Sequence, residues 1–91
     1  KPDTPDDINM VRTYFEEQKA GLLKKEKETR QELEILDSAM IEVLFSDIPD
    51  GEKVKLAKFV NGAKERDKSR LKALEERKAF LSRLLEVTGD H

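Results

Sequence analysis

From residue 8 onward, apolar side chains return every three or four positions: Ile8, Val11, Phe15, Leu22, Leu33, Leu36, Met40 and Leu44, with Gln18 and Thr29 filling two of the steps. That spacing keeps one set of side chains on one helical face, with a period close to that of a coiled-coil seam. Thr4-Pro5-Asp6-Asp7 is a good helix start, with a hydroxyl to cap, Pro at the first helical position and two carboxylates at the positive end of the dipole. Lys1 to Asp3 are expected to be loose. Beyond the start, only Gly21 weakens the helix before Phe45, at a cost of about 1 kcal/mol against Ala.

A second periodic run follows: Leu56, Phe59 with Val60, Ala63, Asp67, Arg70 or Leu71, Leu74, Lys78, Leu81 and Leu85. Gly89 is the expected cap at its end. Asn61-Gly62 is a common turn pair and could split this run, giving three helices. The spacing that persists from Ala63 favours one continuous helix.

Between the runs lies Ser46-Asp47-Ile48-Pro49-Asp50-Gly51-Glu52-Lys53. Pro49 cannot continue a helix arriving from the N-terminal side, yet it suits the first turn of a new one. Asp47 or Asp50 can accept hydrogen bonds from that helix's free N–H groups. The pattern predicts a single domain over residues 1–91: a helix over about 5–46, a turn over about 46–51 and a helix over about 51–87. Folded at the turn, residues whose numbers sum to about 98 face each other. Apolar ends then meet apolar ends, and the polar middle of one run, Lys24 to Glu32, meets that of the other, Lys64 to Arg70.

Charge supports the same pairing. Residues 6–47 hold eleven acids and six bases, a net of −5, whereas residues 52–86 hold eleven bases and six acids, a net of +5. Like helices repel and unlike helices attract, which selects partners and orientation more than it adds stability. The fold class predicted is therefore all-α: a long antiparallel helical hairpin, coiled-coil-like.

Composition narrows the picture. At 42% charged and 36% apolar residues, the chain is too polar for a compact layered core and suits long helices with narrow seams. Disorder competes on composition alone, but helical spacing and end signals argue against it. The net charge of −2 gives no global attraction to nucleic acid or anionic membrane. No apolar run is long enough for a transmembrane helix. A soluble chain is expected; cytoplasm is the default compartment, though the absence of Cys does not establish it.

The apolar arcs are too wide for one neighbour. Leu33, Ile35, Leu36, Ala39, Met40, Val43 and Leu44 cover about half of a helical wheel, while a two-helix seam needs about two residues in seven. Ile41 and Phe45 lie outside even that arc. The hairpin is thus expected to bury a second surface, most economically as a homodimer forming an antiparallel four-helix bundle, or else against another protein. The partner-binding residues expected are Leu33, Ile35, Leu36, Met40, Ile41, Val43, Leu44, Phe45, Ile48, Leu56, Phe59 and Val60. The plainer reading of each is core packing, and Ile41 and Phe45 discriminate best because the hairpin seam does not need them.

Chemistry finds little footing. The only His is the terminal His91, there is no Cys, and no Gly-rich loop or nucleophile motif occurs. Adjacent acids such as Glu16-Glu17 and Glu75-Glu76 are ordinary solvated faces. Carboxylate metal sites in bundles use inward Glu-x-x-His pairs, absent here, and Asp47, Asp50 and Glu52 lack calcium-loop spacing. No enzyme activity, cofactor or metal is expected. The rival reading is nucleic-acid binding through Lys64, Arg66, Lys68, Arg70 and Lys72. It is disfavoured because Glu65 and Asp67 interrupt the run, alternate residues point in different directions on a helix, and no aromatic side chain is interleaved for stacking. The reading reached is a non-enzymatic protein–protein interaction or assembly module, with no membrane role.

Overall fold

The computed structural model describes residues 5–89. The expectations for Lys1–Asp3, the Thr4 cap and His91 lie outside the described residues. Two long helices pack as a hairpin: α1, Pro5–Phe45, of 41 residues, and α2, Asp50–Gly89, of 40 residues. No strand occurs among the described residues. The chain divides into two compact units through which both helices pass: a terminal unit, Lys1–Glu26 with Ala73–His91, and a turn unit, Lys27–Lys72.

In the turn unit the buried or half-buried line of α1 is Thr29, Leu33, Leu36, Met40 and Val43, and that of α2 is Lys53, Ala57, Val60, Lys64, Asp67 and Leu71. In the terminal unit the line is Ile8, Arg12, Phe15, Lys19, Leu22 and Glu26 on α1, and Leu74, Lys78, Leu81, Leu85 and Thr88 on α2. Steps of three and four alternate along each line, and Ala39, Ala63, Ser82 and Leu84 beside these lines are also half-buried or buried. Four expected seam positions therefore move by one residue. Arg12, Lys19, Val43 and Ala57 take the places of Val11, Gln18, Leu44 and Leu56, which are exposed. Apolar character was the weaker guide at these points: a one-residue step swings a side chain about 100° off the seam. Arg12 and Lys19 are half-buried there, where their long aliphatic stems can pack, and Arg12 Nε is buried without a hydrogen-bond partner.

The turn differs in detail from its expected form. Pro49 precedes α2 instead of lying within its first turn, and its carbonyl accepts from the N–H groups of Glu52 and Lys53, each at 3.0 Å. Its missing N–H is lost where no helical bond is needed. No side-chain hydrogen bond from Asp47 or Asp50 caps α2 among the described residues. At the end of α1, the Ser46 hydroxyl donates to the Val43 carbonyl at 2.7 Å and Lys53 Nζ donates to the Leu44 carbonyl at 3.3 Å. An ammonium from the start of α2 thus meets the negative end of the α1 dipole, where α1 itself has no basic residue.

α2 runs through Asn61-Gly62 without a break. Gly89 is its last helical residue, and no glycine has a positive φ. The last turn is served instead by the Thr88 hydroxyl, which donates to the carbonyls of Leu84 and Leu85 at 3.1 Å each.

Cross-helix ion pairs show the packing register. Within the turn unit, Lys64 Nζ lies 2.7 Å from Asp37 Oδ1, and Arg70 lies 3.9 Å from Glu32. Within the terminal unit, Lys78 Nζ lies 3.0 Å from Glu26 Oε1 and 3.2 Å from Oε2. Each pair sits up to about a turn and a half beyond the mirror position set by the turn, the direction in which side chains lean. Cα–Cβ bonds tilt toward a helix's own N-terminus, so in antiparallel helices the two tilts converge.

Candidate interaction surfaces

Residues seven apart lie on nearly the same side of a helix, so ion pairs identify the flanks of the turn unit. Glu32 and Arg70, joined across the helices, mark one flank. Ala39 lies seven residues past Glu32, and Ala63 and Leu56 lie seven and fourteen before Arg70. Ile35 and Phe59 border them, 67% and 75% exposed. A shallow depression of about 630 Å³ opens on the outer side of α1 beside this flank, lined by Gln31, Glu34, Ile35, Ser38, Ala39 and Glu42. Asp37 marks the opposite flank of α1. Ile41 and Leu44 follow it by four and seven residues, and Phe45, at the very end of α1, is 85% exposed.

The twelve apolar residues singled out from the sequence therefore fall into three sets. Leu33, Leu36, Met40, Val43 and Val60 line the seam, and Ile48 is half-buried in the turn. Ile35, Leu56 and Phe59 stand on one flank, Ile41, Leu44 and Phe45 elsewhere. They do not form one continuous cluster. Two of the exposed sets are the ones a hairpin seam leaves free, and the seam set packs as core.

The terminal unit has its own exposed apolar side chains, Met10, Val11, Tyr14, Phe80 and Val87 among them. Some are already engaged. Tyr14 and Phe15 meet edge to face with ring centroids 6.0 Å apart, and the Arg77 guanidinium lies 5.1 Å over the Phe80 ring.

The basic run on α2 is dispersed by the fold. Lys64 pairs with Asp37, Lys68 with Glu65 at 3.6 Å, and Arg70 with Glu32 and Asp67. Arg66 and Lys72 remain exposed without an ion pair among the described residues.

Two buried carboxylates complete the inventory, and sequence reasoning found only one of them. Asp67, with no exposed surface, was placed on the seam by its spacing. Glu26, 2% exposed, was passed over; it sits four after Leu22 and three before Thr29, in step with the seam but charged. No group of three or more His, Cys, Asp or Glu gathers among the described residues. No described helix is long and apolar enough to cross a membrane.

Comparison with protein-family models, curated proteins and solved structures finds no match. The functional reading therefore rests on the chain's own geometry.

Proposed function

We propose that this hairpin is a non-enzymatic protein–protein interaction or assembly module: a short antiparallel coiled coil whose outer surface binds a second copy of itself or another protein. The observation that carries this reading is an inversion of the usual burial. Among the described residues only three apolar ones, Val60, Ala63 and Leu81, are buried, while thirteen large apolar side chains are exposed, Phe45 and Phe59 among the most open. Single exposed apolar residues are common on any surface. Several on the flanks of one small unit are a feature of binding surfaces. The alternating three- and four-residue seam supports the coiled-coil description, and a four-helix bundle is the arrangement that covers such flanks with least new structure.

Sedimentation equilibrium of the purified chain, with and without candidate partners, tests the reading. A mass above that of one 10.5 kDa chain, or a saturable complex with a defined protein, supports it. A chain that stays monomeric at millimolar concentration and binds no protein refutes it. Nucleic-acid binding is the weaker reading, since three of its five expected contact residues are held in ion pairs. A gel shift with duplex at physiological salt that shows a complex, lost on charge reversal at Lys68, Arg70 and Lys72, would restore it.

A further inference from the structure

We propose that the turn-unit flank carrying Ile35, Ala39, Leu56 and Phe59 is a self-association face, on which a second copy docks with its α2 over α1 and with both turns at the same end. The proposal rests on the interaction-module reading and specifies its partner and geometry.

The choice of flank comes from the side chains. Ile35 and the half-buried Ala39 from α1 and the exposed Leu56 and Phe59 from α2 bring both helices to one apolar strip. Among the described residues Phe59 has no aromatic or cationic neighbour over its ring, whereas Phe80 has Arg77. Ile41, Leu44 and Phe45 on α1 stand apart from this strip.

Charge selects the occupant and its orientation. Within the turn unit, residues 27–45 of α1 carry five acids and two bases, a net of −3; residues 50–72 of α2 carry eight bases and four acids, a net of +4. Two hairpins stacked face to face by a two-fold axis have two choices. An axis across the helices lays α1 on α1 and α2 on α2, like on like. An axis along the helices lays each α1 on the partner's α2, so that the facing helices carry opposite net charge. In that second arrangement the hairpin's own antiparallel register carries over to the contact between copies. Ile35 and Ala39 approach the partner's Phe59, and Glu28 and Glu32 face the partner's Arg70 and the partner's Arg66, respectively. Glu28 and Arg66 are exposed, and neither has an ion pair within its own chain among the described residues. A second copy brings the partner's Arg70 to Glu28 and the partner's Glu32 to Arg66, and the apolar strip lies between these charges and the turn.

Sedimentation equilibrium on the full chain, with helicity checked by circular dichroism, tests this. Wild type is expected to form a dimer. Phe59→Glu, at a position already open to water, should retain helicity and raise the dimer dissociation constant by about a hundredfold or more, whereas Ile41→Glu with Phe45→Glu should change it less than threefold. Glu28→Lys and Arg66→Glu should each weaken self-association by about tenfold, because two symmetric contacts reverse sign in each dimer. Mixed one to one, these two variants should associate more tightly than either does alone, because one of the two α1–α2 contacts in the mixed dimer is then unaltered. Like-on-like stacking predicts no loss in either variant alone, and that result overturns the orientation. A dimer unaffected by Phe59→Glu but lost with Ile41→Glu and Phe45→Glu overturns the face and leaves the interaction-module reading standing. A monomeric wild type that binds a different, defined protein does the same, while a monomer that binds nothing removes both.

Discussion

Each unit of the hairpin withdraws one carboxylate from water, and the two are treated differently. In the terminal unit, Glu26 is met by Lys78 from the opposite helix, whose ammonium donates to Oε2 at 3.2 Å and lies 3.0 Å from Oε1, although Oε1 itself accepts no hydrogen bond. In the turn unit, neither oxygen of Asp67 has a hydrogen bond, and the nearest cation, Arg70 at 3.7 Å, comes from the same helix three residues on. That guanidinium is also drawn toward Glu32. The origin of the partner matters more than its distance. A pair made three residues apart along one helix can form before the hairpin closes. It offsets little of the desolvation that closing imposes on Asp67. The Lys78–Glu26 pair exists only in the closed hairpin, so its attraction is available when Glu26 loses water. One carboxylate holds the helices in register, and the other is a cost that the surrounding seam absorbs.

The sharpest way to break this contrast is to remove the cation. Lys78→Met keeps the stem that packs in the seam and leaves Glu26 without its cross-helix partner. Stripping one member of a buried pair costs about 3–5 kcal/mol. Urea denaturation should show a midpoint lowered accordingly, and Glu26→Gln combined with Lys78→Met should recover much of the loss. A single-variant loss below about 1 kcal/mol would mean that Lys78 is not what makes Glu26 tolerable.

Asp67 should respond in the opposite sense. Replacing it by Leu removes a buried carboxylate that has no hydrogen bond and adds apolar contact at the seam. Stability should rise by about 1–3 kcal/mol, the cost of a buried polar group left unsatisfied. Thermal melting of Asp67→Leu beside Asp67→Ala separates the two contributions, because both remove the charge and only Leu fills the space. A drop in melting temperature for both variants would show that the carboxylate makes a contact the seam requires.

These two residues also show how far the amino-acid pattern carries. The hairpin, its turn and both long helices follow from period, breakers and charge segregation, which are local or summed properties. Asp67 and Lys78 were legible for the same reason, since spacing places them on the seam whatever their polarity. Glu26 was not, because a carboxylate between Leu22 and Thr29 reads as surface until the alternation of threes and fours is trusted over chemical type. Exchanges such as Val43 for Leu44 have the same origin. Two adjacent apolar residues satisfy hydropathy equally, and only packing against a second helix decides between them. The flank assignment of Ile35, Phe59, Ile41 and Phe45 was beyond one-dimensional reading, since it depends on which side of the partner helix each residue meets.

Backbone substitutions test whether the contrast reflects the carboxylates or the local strength of the helices. Gly21 lies in the terminal unit and Gly62 in the turn unit. Both are interior to a helix, without positive φ, and a Cβ at either meets nothing within 4 Å. Gly21→Ala and Gly62→Ala should each stabilise by about 0.5–1 kcal/mol, by the conformational freedom they remove from the unfolded chain. Similar gains in chemical denaturation would place the difference between the units in their seams. A gain at Gly21 with a loss at Gly62 would mean that Asn61-Gly62 needs its flexibility.

The smallest effect is expected where the contact is shortest. Lys64 and Asp37 approach to 2.7 Å, closer than Lys78 and Glu26, yet the Asp37 side chain is 61% exposed. Water already solvates such a carboxylate, so the pair replaces good hydration with a contact only slightly better, and the long Lys side chain loses rotamer freedom in making it. Asp37→Asn should cost about 0.2–1 kcal/mol, and most of that should vanish as salt screens the exposed pair. The Lys78→Met loss should persist at the same ionic strength, because buried charges are screened far less. Measuring both variants across a salt series therefore ranks burial against distance directly. Equal salt sensitivity would show that Glu26 is reached by solvent in solution, and the distinction drawn between the two seams would fail.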